Sequence, residues 1–186
     1  MDRDDILLEA EMSMEKSVDY LVHEFSGVRT GKASPALVEN IDVQAYGSTM
    51  KLKQLALITT PESRLLVLQP FDASTVQDIE RALKESKIGI TPAVEGKIIR
   101  LPIPELSEER RKELAKSLGK MAEEARVRVR SNRRTALDEA KKLKAAGGIS
   151  EDDARHLEQK IQKLTDWFVK SVDDHLQHKE TEIMKV

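Results

Sequence analysis

The sequence reads as an α+β chain: a long antiparallel three-helix bundle into which a small α+β module is inserted. Three observations carry that expectation. Leu106–Ala146 runs about forty residues without a proline and with only Gly119 as a glycine; as one helix it is roughly 60 Å long at about 1.5 Å per residue. The first and last segments carry apolar stripes of the same helical kind. Between the first segment and the long stretch, the chain turns proline-punctuated and β-rich, with prolines at 35, 61, 70, 92, 102 and 104.

The first segment, Asp4 to about Arg29, repeats Met14, Val18, Leu21, Phe25 and Val28 at helical spacing. Asp4, Asp5 and Glu9 sit at its start, where negative charge suits the helix dipole. Gly27 and Gly31 weaken the helix, and Ser34-Pro35 lies beyond its expected end.

In the module, 41–46 alternates as a half-buried strand and Gly47-Ser48 marks a turn. Short runs at 50–52 and 56–59 are further strands, and 64–69 is apolar enough for a buried one. Ser74 or Thr75 opens a helix to about Glu85, with Val76, Ile79, Ala82 and Leu83 on one face, and 97–101 is the last strand. Pro102 and Pro104 keep the following residues extended, because proline restrains both itself and its predecessor.

Ser107 is the expected N-cap of the long helix, with Glu108 and Glu109 in its first turn. Its stripe is Leu114, Leu118, Met121, Ala125, Val129, Asn132, Ala136, Ala140 and Leu143, which repeats every eleven residues. That period is close to the natural 3.6, so the stripe barely drifts and the helix stays nearly straight. Gly147-Gly148 ends it, and Ser150 caps the last helix, whose stripe is Leu157, Ile161, Leu164, Phe168, Val172, His175 and Ile183. The few residues between these two helices make them an antiparallel hairpin. Two chain crossings, near 30–33 and 102–105, then join module to bundle, an arrangement that predicts a hinge.

Composition narrows the function. Aromatic residues are 3% of the chain, too few for base-stacking surfaces, and there is no cysteine for disulfide or thiolate chemistry. No apolar run suits a leader or a membrane span. No phosphate-binding glycine loop, nucleophile elbow or metal motif is present, and His175 with His178 beside Asp174 lacks a third histidine, so neither an enzyme nor a cofactor is expected. The net charge of −2 hides a partition: −5 over 1–29, +6 over 107–146 and −3 over 149–186. Two readings stay open together. The acidic helices complement the basic one inside the bundle, and the surplus arginines face outward to an anion such as nucleic-acid phosphate. Arg126, Arg130, Arg133 and Arg134 sit at i, i+4, i+7 and i+8, while Arg128 falls on the opposite flank, where it pairs at the bundle's edge. The residues by themselves thus lead to an RNA-binding helical rod with a hinged module, against a rival coiled-coil scaffold or chaperone-like adaptor.

At several places along its whole length the sequence resembles the bacterial ribosome recycling factor family. The resemblance rests on Val28-Arg-Thr-Gly-Lys-Ala-Ser-Pro35, Gln54-Leu-Ala56, Pro70-Phe-Asp72, Ile99-Arg-Leu-Pro-Ile-Pro104, Glu108-Glu-Arg-Arg-Lys112, the arginine block 126–134, Ile149-Ser-Glu-Asp-Asp153 and Gln162-Lys-Leu-Thr-Asp166. It implies an L-shaped molecule: a three-helix bundle (1–30 and 105–186) with an inserted small β/α/β domain (31–104). The implied function is to bind the post-termination ribosome and, with elongation factor G and GTP hydrolysis on that partner, to split it into subunits. The implied partners are large-subunit ribosomal RNA and elongation factor G, the protein acting as a cytoplasmic monomer without a cofactor or membrane. Carried over by position, Arg133, then Arg130, Arg126 and Arg134, with Arg29, Arg110 and Arg111, are the expected RNA contacts. Thr30, Gly31, Lys32, Pro102 and Pro104 are the expected hinge. Glu105 stands where the family often has proline, which implies a softer hinge.

Overall fold

The computed structural model describes residues 2–185; Met1 and Val186, the outer limits of the expected bundle domain, lie outside them. The chain divides into two compact units. One comprises the N-terminal residues through Phe25 together with Glu113–Lys185, and the other is Ser26–Lys112.

The first unit is built from helix α1 (Arg3–Ser26) and most of two longer helices, α4 (Glu108–Ala145) and α5 (Glu151–Met184). Asp2 starts α1: its carboxylate accepts the Asp4 and Asp5 amides at 2.8 and 2.9 Å, while the Asp5 carboxylate accepts the Asp2 amide at 2.8 Å. This reciprocal cap satisfies donors that a helix start leaves without partners. The helix stops at Ser26, before Gly27, rather than near Arg29, and Val28 is half-buried outside it.

Ser107 caps α4, its Oγ accepting the Arg110 amide at 3.2 Å. The helix ends where the Gly147 amide reaches the Lys144 carbonyl at 2.9 Å and the Gly148 amide reaches Leu143 at 3.0 Å. Gly147 has φ +74, the left-handed residue this closure needs. At the start of α5, Ser150 Oγ accepts the Asp153 amide at 3.1 Å and donates to Asp153 Oδ2 at 2.6 Å.

Ile6 and Ala10 of α1, Ala136 and Ala140 of α4, and Leu157 and Ile161 of α5 share one buried cluster. The cross-helix contacts run in opposite directions along α1 and α4 (Ser17 with Asn132, Tyr20 with Arg128) and along α4 and α5 (Arg126 with Asp173, Lys144 with Glu151). The buried line on α4 is Leu118, Ala122, Ala125, Val129, Ala136 and Ala140. Leu114, Met121, Asn132 and Leu143 are only half-buried, and Ala122 joins the line, because the seam meets two partner helices rather than one. On α5 the apolar line passes through half-buried Leu176, and His175 is exposed, contrary to its expected place in the stripe. The position four residues after Val172 keeps helical phase with Ile183; the position three after it does not.

The second unit is antiparallel throughout its sheets. β1 (Asp42–Ala45) and β2 (Ser48–Lys51) form a hairpin, followed by a one-turn helix α2 (Leu52–Leu55). β3 (Ala56–Glu62), β4 (Leu65–Pro70), β5 (Ala93–Glu95) and β6 (Ile98–Pro102) form a sheet in the order β3-β4-β6-β5, with helix α3 (Val76–Glu85) between β4 and β5 in the chain. The inner strands supply Leu66, Leu68, Ile99 and Leu101, all fully buried, and these share a core with Ile79 and Leu83 of α3 and Val43 of β1. Pro61 lies where the β3 register shifts, on an edge strand, which is where a residue without an amide hydrogen is tolerated. Among these elements the sequence reading lacked α2 and β5. The two-residue turn between β1 and β2 has φ +53 at Tyr46 and +74 at Gly47. Tyr46 holds this unfavourable backbone while its hydroxyl donates to Asp72 Oδ2 at 2.6 Å.

Candidate functional site

The basic face of α4 is not uniform. Arg126, whose side chain is 19% exposed, is clamped between carboxylates: its Nη2 lies 2.6 Å from Asp173 of α5, and its Nη1 lies 2.9 Å from Glu123 of its own helix. Burial works against its charge, but the hydrogen bonds it donates to Asp173 and Glu123 outweigh that and hold the guanidinium above its ordinary value. Glu123 is held below the usual carboxylate range, first by the Arg126 hydrogen bond and further by Arg130, whose Nη1 lies 3.2 Å away. The Arg130 side chain is half exposed.

Arg133 differs. Its Nη1 donates to the side-chain carbonyl of Gln162 on α5 at 3.3 Å, and its Nε is buried with no hydrogen-bond partner. The Gln162 amide nitrogen in turn donates to Asp166 at 2.8 Å. Arg134 is exposed, with no ion pair or hydrogen bond to another described side chain. Arg128 lies over the Tyr20 ring of α1, 4.4 Å from its centroid, so the opposite-flank arginine forms an exposed cation–π pair at the bundle's edge. The reading in which the acidic helices complement the basic one applies at Arg126, which pairs with Asp173 of α5. Charge is cancelled at Arg126, partly offset at Arg130, and left standing at Arg133 and Arg134.

The other expected RNA contacts belong to the second unit. Arg29, just beyond α1, donates from Nη2 to the Pro104 carbonyl at 3.1 Å. Its pKa is lowered by burial first and then by the charge of Arg110. The Nε atoms of Arg29 and Arg111 are both buried without a partner. Arg110 and Arg111 share the first turn of α4 with Glu108 and Glu109.

The expected hinge residues also fall in this unit. Thr30 and Gly31 are half-buried, and Lys32, Pro102 and Pro104 are exposed. Gly31 has φ +83 and packs near the Leu106 side chain. Pro102 is the last residue of β6, opposite Leu65 of β4. The Ala33 amide donates to the Ser63 carbonyl at 2.7 Å, the Ile103 amide donates to Arg64 at 2.8 Å, and Arg64 forms an ion pair with Glu105. Proline at position 105 cannot make that last tie.

The sequence reading missed Gln162, Asp166, Asp173, Glu123 and Tyr20 as neighbours of the arginines. The advance signals were the i, i+3 spacing of Glu123 and Arg126 and the i, i+4 spacing of Gln162 and Asp166; the cross-helix partners depend on the register of α4 against α5 and α1. His178 lies against Glu182 at 3.1 Å, and no group of three metal-ligating side chains occurs among the described residues. Among those residues, no helix is long and apolar enough to cross a membrane.

Comparison with known proteins places this geometry. The family description "Ribosome recycling factor" matches residues 21–184. A ribosome-recycling factor of Akkermansia muciniphila is 60% identical, over the whole of both chains. One of Rubrobacter xylanophilus is 47% identical over 97% of each chain. A solution structure of a ribosome recycling factor superposes with a TM-score of 0.81 at 44% identity, covering 100% of this chain and 99% of that one. A second structure, at 39% identity and TM-score 0.69 over the whole of both chains, gives models for the T. thermophilus ribosome recycling factor and the E. coli elongation factor G bound to the E. coli post-termination complex. With a family match across most of the chain and full-length relatives well above the level at which fold and family diverge, the chain belongs to the ribosome recycling factor family.

Proposed function

We propose that the protein binds the post-termination ribosome and, with elongation factor G and GTP, dissociates it into subunits. The observation that carries this reading is end-to-end similarity, including 39% identity to a relative placed in those models with elongation factor G on a post-termination complex. On this reading the chain is a cytoplasmic monomer and not an enzyme. GTP is hydrolysed on the partner, and this chain supplies a stiff docking arm and a part that moves.

Docking falls to arginine–phosphate contacts with large-subunit ribosomal RNA. Arg133 leads, followed by Arg130 and Arg134, with Arg126 contributing while it also ties α4 to α5. Arg29, Arg110 and Arg111 form a second contact group. The inserted domain, 31–104, turns on Thr30, Gly31, Lys32, Pro102 and Pro104 against the bundle domain, 1–30 and 105–186. A guanidinium fork matches phosphate oxygens in two places at once, which explains arginine rather than lysine along this face.

The test is subunit splitting from purified post-termination ribosomes with this protein, elongation factor G and GTP, each omitted in turn. Splitting only with all three present is the expected result. Absence of ribosome binding overturns the reading and leaves the helical scaffold in its place.

A further inference from the structure

The arginines of α4 are held by partners of two kinds. Arg126 and Arg130 meet carboxylates, which fix a guanidinium but also cancel its field. Arg133 meets the uncharged carbonyl of Gln162, and no carboxylate lies within ion-pair reach of it among the described residues. A neutral acceptor fixes direction and leaves the charge available.

A glutamine side chain alone does not know which way to turn, because its oxygen and nitrogen ends have nearly the same shape. Asp166 decides it. A carboxylate only accepts, so it takes the amide nitrogen, at 2.8 Å, and turns the carbonyl toward Arg133. The reversed amide sets N–H against N–H at one end and oxygen against oxygen at the other. The buried Nε of Arg133 further restricts the swing of its fork.

We propose that Gln162, oriented by Asp166, is a positioning residue that presents the Arg133 guanidinium with its charge intact to an RNA phosphate. The proposal rests on the ribosomal reading above and adds two residues of α5 to the docking machinery.

The experiment measures affinity for post-termination ribosomes against salt concentration for the wild type, R133A, Q162E, D166N and the double variant R133A/Q162E, with helicity and melting recorded for each. Q162E places a carboxylate against Arg133 and is expected to weaken binding about ten-fold, the scale of one hydrogen bond to a charged group. Its salt dependence becomes shallower by about one phosphate contact, as it does for R133A. In the R133A background, Q162E adds no further loss, since the two changes act through one contact. D166N separates orientation from net charge. Removing a negative charge beside RNA tightens binding if only net charge matters, whereas loss of amide orientation weakens it. The relay alone is overturned if D166N binds more tightly, or if Q162E is as damaging without Arg133 as with it. R133A binding at full strength overturns the RNA role of Arg133 itself, and the relay with it.

Discussion

Asn132 of α4 donates from Nδ2 to the hydroxyl of Ser17 on α1 at 3.2 Å, and that hydroxyl donates onward to the Ser13 carbonyl at 2.9 Å. This polar joint lies beside a cavity lined by Glu9, Ser13, Thr135 and Glu139 as well as Ala10 and Ala136, and it ties α1 to α4 in one register. Ser17→Ala is expected to lower stability by about 1 kcal/mol, because the Asn132 amide loses its partner in a partly buried setting. Urea unfolding checks this. The same substitution in an Asn132→Ala background should cost less, and equal costs in both backgrounds would mean the bond adds nothing.

Arg126 and Arg134 should separate fold from docking. Arg126→Ala releases Asp173 and Glu123, and its melting temperature should fall modestly, by about 0.5–1 kcal/mol of stability after allowance for the exposure of both carboxylates. Arg134→Ala should melt as the wild type does and bind ribosomes more weakly, with a shallower salt dependence. A change in melting at Arg134 with unchanged binding would reverse these assignments.

Gly31→Ala tests the hinge. The added methyl meets only the Leu106 side chain at ordinary contact distance, so the cost comes from the left-handed backbone, about 1–2 kcal/mol. Splitting activity should fall more than ribosome binding. An equal fall in both would place Gly31 in docking rather than in movement.

The start of α5 carries a pH dependence of definite sign. Asp153 is held below its ordinary value of 3.8, chiefly by the Ser150 side-chain hydrogen bond and then by the Ser150 amide. A lowered folded value means that the cap contributes fully above pH 3.8 and is lost as the pH falls through the lowered value. Protection of the amides at 150–154, the intrinsic exchange rate relative to the observed rate at each pH, should fall on that descent in the wild type. In Ser150→Ala protection should already be low at neutral pH, and protection that does not change with pH in the wild type would remove the cap from the account.

Long-period features were legible in the sequence. The α4 and α5 caps at Ser107 and Ser150, the stop at Gly147-Gly148, and the strand runs around Val43, Leu66 and Ile99 follow from local chemistry that tertiary context does not override. What escaped were short or relational features. β5 is three residues with no buried position, so it carries no hydrophobic alternation to read. The α2 turn is one helical turn set by its neighbours. His175 is a phase error the sequence could have shown, since Leu176 and not His175 is apolar and in phase with both Val172 and Ile183. The arginine face was legible as a surplus of charge, but its division into cancelled and uncancelled members was not. That division depends on which α5 residue stands across from each arginine.

The turn between β3 and β4 has a mechanical meaning. Before its first strand and after its last, the chain is fastened to neighbouring residues of this turn, Ala33 to Ser63 and Ile103 to Arg64. The unit is therefore a cassette closed at its own neck. A pull transmitted through either connecting segment reaches the sheet at one corner, and a force that opens the sheet must first break the two hydrogen bonds of the neck.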